Sequence, residues 1–219
     1  MDHKALHNSG VAIFNARPPT PEETIIIFGV PRSGTSMVAA MLSACGIFLG
    51  DTADKAVFED VTLANAMESR NEAAMKAIIA ANNEAHKTWA YKRPLAFYHM
   101  TERLALFRNP RFIATFRDPI AISKRNEASM GIRVSDYLGE AIRLTGDLIN
   151  FARTTPAPIL LASYEKAIFE PHRFARSVAD FTGIHISPET MTAAVETIRN
   201  GPETYLLASQ TTLNKRAST

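Results

Sequence analysis

Thr24-Ile25-Ile26-Ile27-Phe28-Gly29-Val30-Pro31-Arg32-Ser33-Gly34-Thr35-Ser36-Met37-Val38-Ala39-Ala40-Met41-Leu42 is the stretch that decides the fold. Its first five residues form an apolar run of strand length, its last six suit an apolar helix, and a glycine-bounded turn joins them. Strand, tight turn and helix N-terminus together bind a phosphate, because the amides of the turn and the positive helix end both face the anion. Gly29 and Gly34 keep the spacing of the triphosphate loop G-x-x-x-x-G-K-[ST], and Ser36 fills its last position. The lysine position holds Thr35, and the nearest cation is Arg32, inside the turn. That lysine normally reaches the β and γ phosphates. Without it the loop can still grip an anion through its amides, yet it is poorly equipped for ATP hydrolysis or kinase chemistry.

Outward from the loop, strands and helices alternate. Gly46 to Asp51 is a glycine-flanked break. Val61, Ala64, Met67, Met75, Ile78 and Ile79 recur at helical spacing and predict one helix from about Phe58 to Asn82. Trp89-Ala90-Tyr91 reads as a short strand, and Pro94 suits the first turn of a helix running to about Phe107. Residues 111–116 form a second strand, which Asp118 as cap and Pro119 as first helical residue bring to an end. Helices are expected at 119–130 and 134–152, a strand at 159–163, and further helices within 164–199. This alternation implies an α/β fold, a parallel sheet covered on both faces in three layers. No repeat or linker divides the chain, so residues 1–219 are expected to form one domain with a poorly ordered segment at 1–22.

The 219 residues carry a net charge of only +2, which argues against a general nucleic-acid surface. Cys45 is the single cysteine, which excludes internal disulfides and cysteine-based zinc sites and fits a reducing compartment. No apolar run approaches membrane-span length, and the N-terminus lacks the apolar centre of a secretion signal. A cytoplasmic location follows as the expectation. The six histidines are scattered, so no metal site is expected.

Val30-Pro31-Arg32-Ser33-Gly34-Thr35-Ser36 resembles the 5′-phosphosulfate loop of the sulfotransferases, Pro-[Lys/Arg]-Ser-Gly-Thr-[Ser/Thr]. These enzymes move a sulfuryl group from 3′-phosphoadenylyl sulfate (PAPS) to a hydroxyl or amine. Lys92-Arg93-Pro94, Asn109-Pro110-Arg111-Phe112-Ile113 and Arg117-Asp118-Pro119 resemble the block that follows in that family, and Ser163-Tyr164-Glu165-Lys166 resembles the close of its next strand. The resemblance spans about residues 24–184. It implies the P-loop-like sulfotransferase fold, PAPS as donor, binding of the 5′-phosphosulfate by Arg32, Ser33, Gly34, Thr35 and Ser36, and binding of the 3′-phosphate by Arg117. The family usually places a serine eight residues after that arginine, where this chain has Arg125. Ser123 lies roughly 200° around the helix from that position and Ser129 one turn beyond it, so Arg125 and Ser129 are the preferred second contacts and Ser123 the weaker one. Arg199-Asn200-Gly201-Pro202 loosely resembles a late basic loop over the 3′-phosphate.

In the mechanism so implied, Arg32 stabilises the departing phosphate and Lys92 contacts the sulfuryl oxygens. Glu59, in a Phe-Glu-Asp similar to that of bacterial relatives, is the expected base. Burial would raise its pKa and improve it for that role. Asp51, Asp60 and His99 are the alternates. The acceptor stays open among carbohydrate, lipid-linked sugar, small metabolite and protein tyrosine, as does the oligomeric state. Competing readings are a P-loop phosphotransferase and a non-catalytic nucleotide-binding protein.

Overall fold

A computed structural model describes residues 8–53, 57–199 and 201. Five strands form one sheet: β1 (Val11–Phe14), β2 (Glu23–Gly29), β3 (Thr88–Lys92), β4 (Arg111–Phe116) and β5 (Ile159–Ser163), in the spatial order β1-β5-β4-β2-β3. The inner four run parallel. β2 is buried along its whole length, as its unbroken apolar run requires of a strand covered on both faces.

Nine helices lie among the described residues. They are α1 (Thr35–Ala44), α2 (Val61–Glu68), α3 (Glu72–Ala85), α4 (Phe97–Arg103), α5 (Pro119–Met130), α6 (Val134–Thr154), α7 (Tyr164–Phe169), α8 (Pro171–Thr182) and α9 (Pro188–Thr197). On one face of the sheet Val38, Met41 and Leu42 of α1 pack with Phe174 and Val178 of α8 and Ala194 of α9. On the other, Met67, Ile79, Phe97, Leu148 and Phe151 cover the strands. There the Phe28 ring sits 5.2 Å from Phe112 and 5.4 Å from Phe151. This is the expected three-layer α/β arrangement.

β2 and β4 are neighbours, and the crossover from β2 leads to β3 on one side while that from β4 leads to β5 on the other. A crevice opens beyond the carboxyl end of a strand at such a reversal, where open α/β sheets bind ligands. The turn 29–34 lies at that point.

Three local expectations need correction. The segment expected to be poorly ordered supplies β1, which pairs antiparallel with β5 and is held by backbone hydrogen bonds although its side chains are mostly exposed. The helix expected over Phe58–Asn82 is two helices. Arg70 turns the chain at φ 54° and Asn71 caps α3 by accepting from the Ala74 N–H at 3.1 Å. The helix expected from Pro94 begins at Phe97. Arg93 and Leu95 first donate to the carbonyls of Ile27 and Gly29, at 3.0 and 3.1 Å, which carries β3 pairing past its last strand residue.

Candidate active site

The loop after β2 is built from two left-handed residues, Arg32 at φ 72° and Gly34 at φ 103°, with Ser33 between them. Gly34 caps α1, and a Cβ there would overlap the Tyr164 ring, so both its conformation and its neighbour require glycine. Ser33 is fully buried. Its hydroxyl pairs with that of Thr115 at 2.7 Å and its N–H donates to the Val30 carbonyl at 3.0 Å. Ser33 thereby ties the loop to β4. The N–H groups of Gly34, Thr35 and Ser36 make no backbone hydrogen bond among the described residues. They lie at the α1 N-terminus, where an anion is favoured. The Ser36 hydroxyl donates to the Val57 carbonyl at 3.2 Å.

Arg117 follows β4 and reaches back to this loop. Its Nη1 donates to the Arg32 carbonyl at 3.1 Å, and its guanidinium lies 4.3 Å over the Tyr164 ring. Tyr164 thus supports both Gly34 and Arg117. Arg117 Nε is buried without a hydrogen-bond partner, 4.0 Å from the exposed Glu165 carboxylate. Glu165 accepts from the Asp118 N–H at 3.1 Å, while Asp118 caps α5 on the Ala121 N–H.

Arg125 and Ser129 lie on α5, Arg125 half-buried and Ser129 buried. Ser129 donates to the Arg125 carbonyl at 2.9 Å, and Ser123 does the same to Pro119 at 2.8 Å. Of Arg199-Asn200-Gly201-Pro202, Asn200 and Pro202 lie outside the described residues.

Beside the loop Glu59, Lys92, Arg93 and Glu68 form one ionic network. Lys92, almost fully buried, donates to Glu59 at 2.7 Å, while Arg93 pairs with both Glu59 and Glu68. Burial pushes the Glu59 carboxyl up, but Lys92 and Arg93 more than offset it and hold the group below its ordinary range. The expectation of a raised pKa is therefore reversed, because two cations sit on the carboxylate. Asp60 is occupied as a helix cap. It caps α2, accepting from the N–H groups of Thr62 and Leu63 at 3.0 and 3.1 Å and from the Thr52 hydroxyl at 2.6 Å. Asp51 is exposed and does not line the crevice.

A cavity of about 520 Å³ opens against Arg32, Glu59 and Lys92. His99 of α4 also faces it. Burial, with Arg103 and Arg70 nearby, lowers the pKa of its imidazole and favours the neutral form. The structure thus brings Arg32, Glu59, Lys92 and His99 to one cavity, with Arg117 bonded to the Arg32 carbonyl. Thr115 and the Arg93–Glu68 pair escape sequence reasoning. Both act through partners distant along the chain, and nothing local to Thr115 or Glu68 marks the pairing.

Among solved structures, the chain is similar to the sulfotransferase domain of the Synechococcus PCC 7002 olefin synthase. The TM-score is 0.56 and the identity 19%, covering 88% of this chain and 84% of that one. It is also similar to retinol dehydratase, crystallised with androsterone and the inactive cofactor PAP, at a TM-score of 0.52 and 14% identity. That match covers 83% of this chain and 65% of retinol dehydratase, so the chain spans just under two thirds of that relative's length. No family model and no curated protein matches the sequence. The fold is the sulfotransferase fold. Among the described residues, no helix is long and apolar enough to cross a membrane.

Proposed function

We propose that this chain is a PAPS-dependent sulfotransferase that moves a sulfuryl group to an acceptor hydroxyl or amine. One observation carries the reading: the amides of Gly34, Thr35 and Ser36 and the Arg117 side chain converge at the switch point of a sulfotransferase fold. Retinol dehydratase, which shares that fold, is seen with PAP bound.

The three amides would hold the 5′-phosphosulfate at the positive end of α1. Arg117, with its planar fork, would take the 3′-phosphate, joined from α5 by Arg125 and Ser129. Arg32 would stabilise charge on the departing phosphate, and Lys92 would contact the sulfuryl oxygens. The acceptor oxygen bonds to sulfur as the sulfur–oxygen bond to the phosphate breaks. The electron pair leaves with the 5′-phosphate, the proton passes to Glu59, and the products are a sulfate ester and adenosine 3′,5′-bisphosphate. Glu59 is ionised at neutral pH because two cations hold it so. If Lys92 turns toward the sulfuryl group, Glu59 loses one of those cations and becomes more basic. The cysteine usage supports a cytoplasmic location.

The test is a melting-temperature shift with adenosine 3′,5′-bisphosphate in EDTA, followed by transfer from labelled PAPS to an acceptor panel. Stabilisation without magnesium, with transfer, is expected. Stabilisation by magnesium-ATP alone would point to a phosphotransferase, and tight bisphosphate binding without transfer to a non-catalytic nucleotide-binding protein.

A further inference from the structure

Arg93 serves two carboxylates at once. Its Nη1 donates to Glu59 and its Nη2 to Glu68. The backbone fixes its place, since the Arg93 N–H donates to the Ile27 carbonyl at 3.0 Å. Glu68 is the last residue of α2, at the helix end where the macrodipole disfavours a carboxylate. The chain turns away directly after it, with Arg70 left-handed and the Asn71 N–H donating to the Ala66 carbonyl at 3.0 Å. No cation stands three or four residues before Glu68 to compensate, for those positions hold Asn65 and Ala64. Its partner comes instead from Arg93, 25 positions on, and both line the cavity with Glu59.

Two cations balance two carboxylates while Lys92 stays on Glu59. On the sulfotransferase reading above, Lys92 turns to the sulfuryl oxygens, which leaves Glu59, Glu68 and Arg93 with one negative charge in excess. Uptake of the acceptor's proton by a Glu59 oxygen then makes that trio neutral. Without Glu68 the same step would start from a neutral pair and create a positive charge in a cavity that Arg32 also lines. We infer that Glu68 is a positioning residue for the base, occupying one edge of Arg93 so that this guanidinium holds Glu59 in place without neutralising it. The other titratable groups around Glu59 are Asp60 at the head of α2, His99 of α4, and Tyr91, Tyr98 and Tyr137 on the cavity wall. Burial above all pushes the three phenols up, so they stay neutral. These groups are present in every variant below, so a shift between variants reports Glu68.

The probe is the Glu59 carboxyl itself, titrated by carbon NMR on protein labelled in its glutamate side chains and assigned by its loss in Glu59→Gln. Glu68 is 49% exposed, so Glu68→Gln leaves the fold intact and keeps an oxygen for Arg93. The Glu59 midpoint should fall by about half to one pH unit, because a like charge has left and Arg93 is no longer shared. Glu68→Lys should move it about twice as far in the same direction. In a Lys92→Met background, which removes the cation that turns away, the fall on Glu68→Gln should be no smaller. Transfer from labelled PAPS should drop about two- to threefold in Glu68→Gln, with adenosine 3′,5′-bisphosphate affinity unchanged. A midpoint that stays or rises in Glu68→Gln overturns the inference, as does turnover equal to wild type. If the wild type itself transfers no sulfuryl group, the sulfotransferase reading fails, while the titration still decides whether Glu68 governs Glu59.

Discussion

Replacing Arg117 with lysine separates two jobs of one side chain, the contact it makes with the loop and the 3′-phosphate contact proposed for it. Its Nη1 holds the Arg32 carbonyl at 3.1 Å and its face stacks 4.3 Å over Tyr164, so the proposed phosphate contact falls to the rest of the guanidinium. Lysine keeps the charge but loses the planar fork and the stacked geometry. A hydrogen bond to a charged group contributes about 1.5–3 kcal/mol. Since the point charge survives, the lower end applies to lysine, about tenfold in Kd, and the upper end to Arg117→Ala, about 100-fold. Any disturbance of the loop through the Arg32 carbonyl weakens every 5′-phosphate ligand. Only the 3′-phosphate contact is specific to the bisphosphate. Isothermal titration of wild type and Arg117→Lys with adenosine 3′,5′-bisphosphate and with adenosine 5′-monophosphate, at one ionic strength, therefore gives a coupling energy. The bisphosphate should lose about tenfold more than the monophosphate. Equal losses for the two ligands would refute the assignment of Arg117 to the 3′-phosphate.

Three further outcomes follow from other charged groups. Glu59→Gln should lower kcat by about 10²–10⁴, the usual contribution of a general base, and leave bisphosphate affinity unchanged; full activity would remove Glu59 from the mechanism. The same variant reports on acid stability. Because the folded pKa of Glu59 lies below its unfolded value of about 4.3, its ion pairs stabilise the fold above that pH and cease to do so as pH falls through the folded pKa. The stability gap between wild type and Glu59→Gln should thus close on acidification below pH ~4, as followed by urea unfolding. At the far end of the sheet Arg111 and Glu23, 1% and 0% exposed, pair at 2.8 Å. Glu23→Ala should cost about 3–5 kcal/mol by leaving a buried guanidinium uncompensated, while Glu23→Leu with Arg111→Met restores most of it. A loss below ~1 kcal/mol in the single variant, measured by urea unfolding, would contradict this.

The local grammar of the chain was legible where a residue's neighbours in sequence are also its physical partners. Pro119 and Asp118 started α5 as read, because a cap bonds within three residues. The same local logic failed at Arg70 and Leu95, whose left-handed turns break patterns that periodicity alone would continue. At Leu95 the competing force is an amide bonded to Gly29, 66 positions back. Glu59 shows the limit most clearly. Its burial could be anticipated, but its cations could not, and their presence reverses the direction of its titration.

The amino-acid sequence by itself determined the glycine-bounded turn after β2 and the alternation of strand with helix, since both depend on residue size, φ preference and apolar period over a few positions. Only the tertiary structure decided the order β1-β5-β4-β2-β3 and, through it, the composition of the site. That order sets Lys92 beside Ile27 and Thr115 beside Gly29. Ion pairs and buried hydroxyl contacts form between groups that pairing of distant strands brings together, and a linear pattern carries no record of those distances.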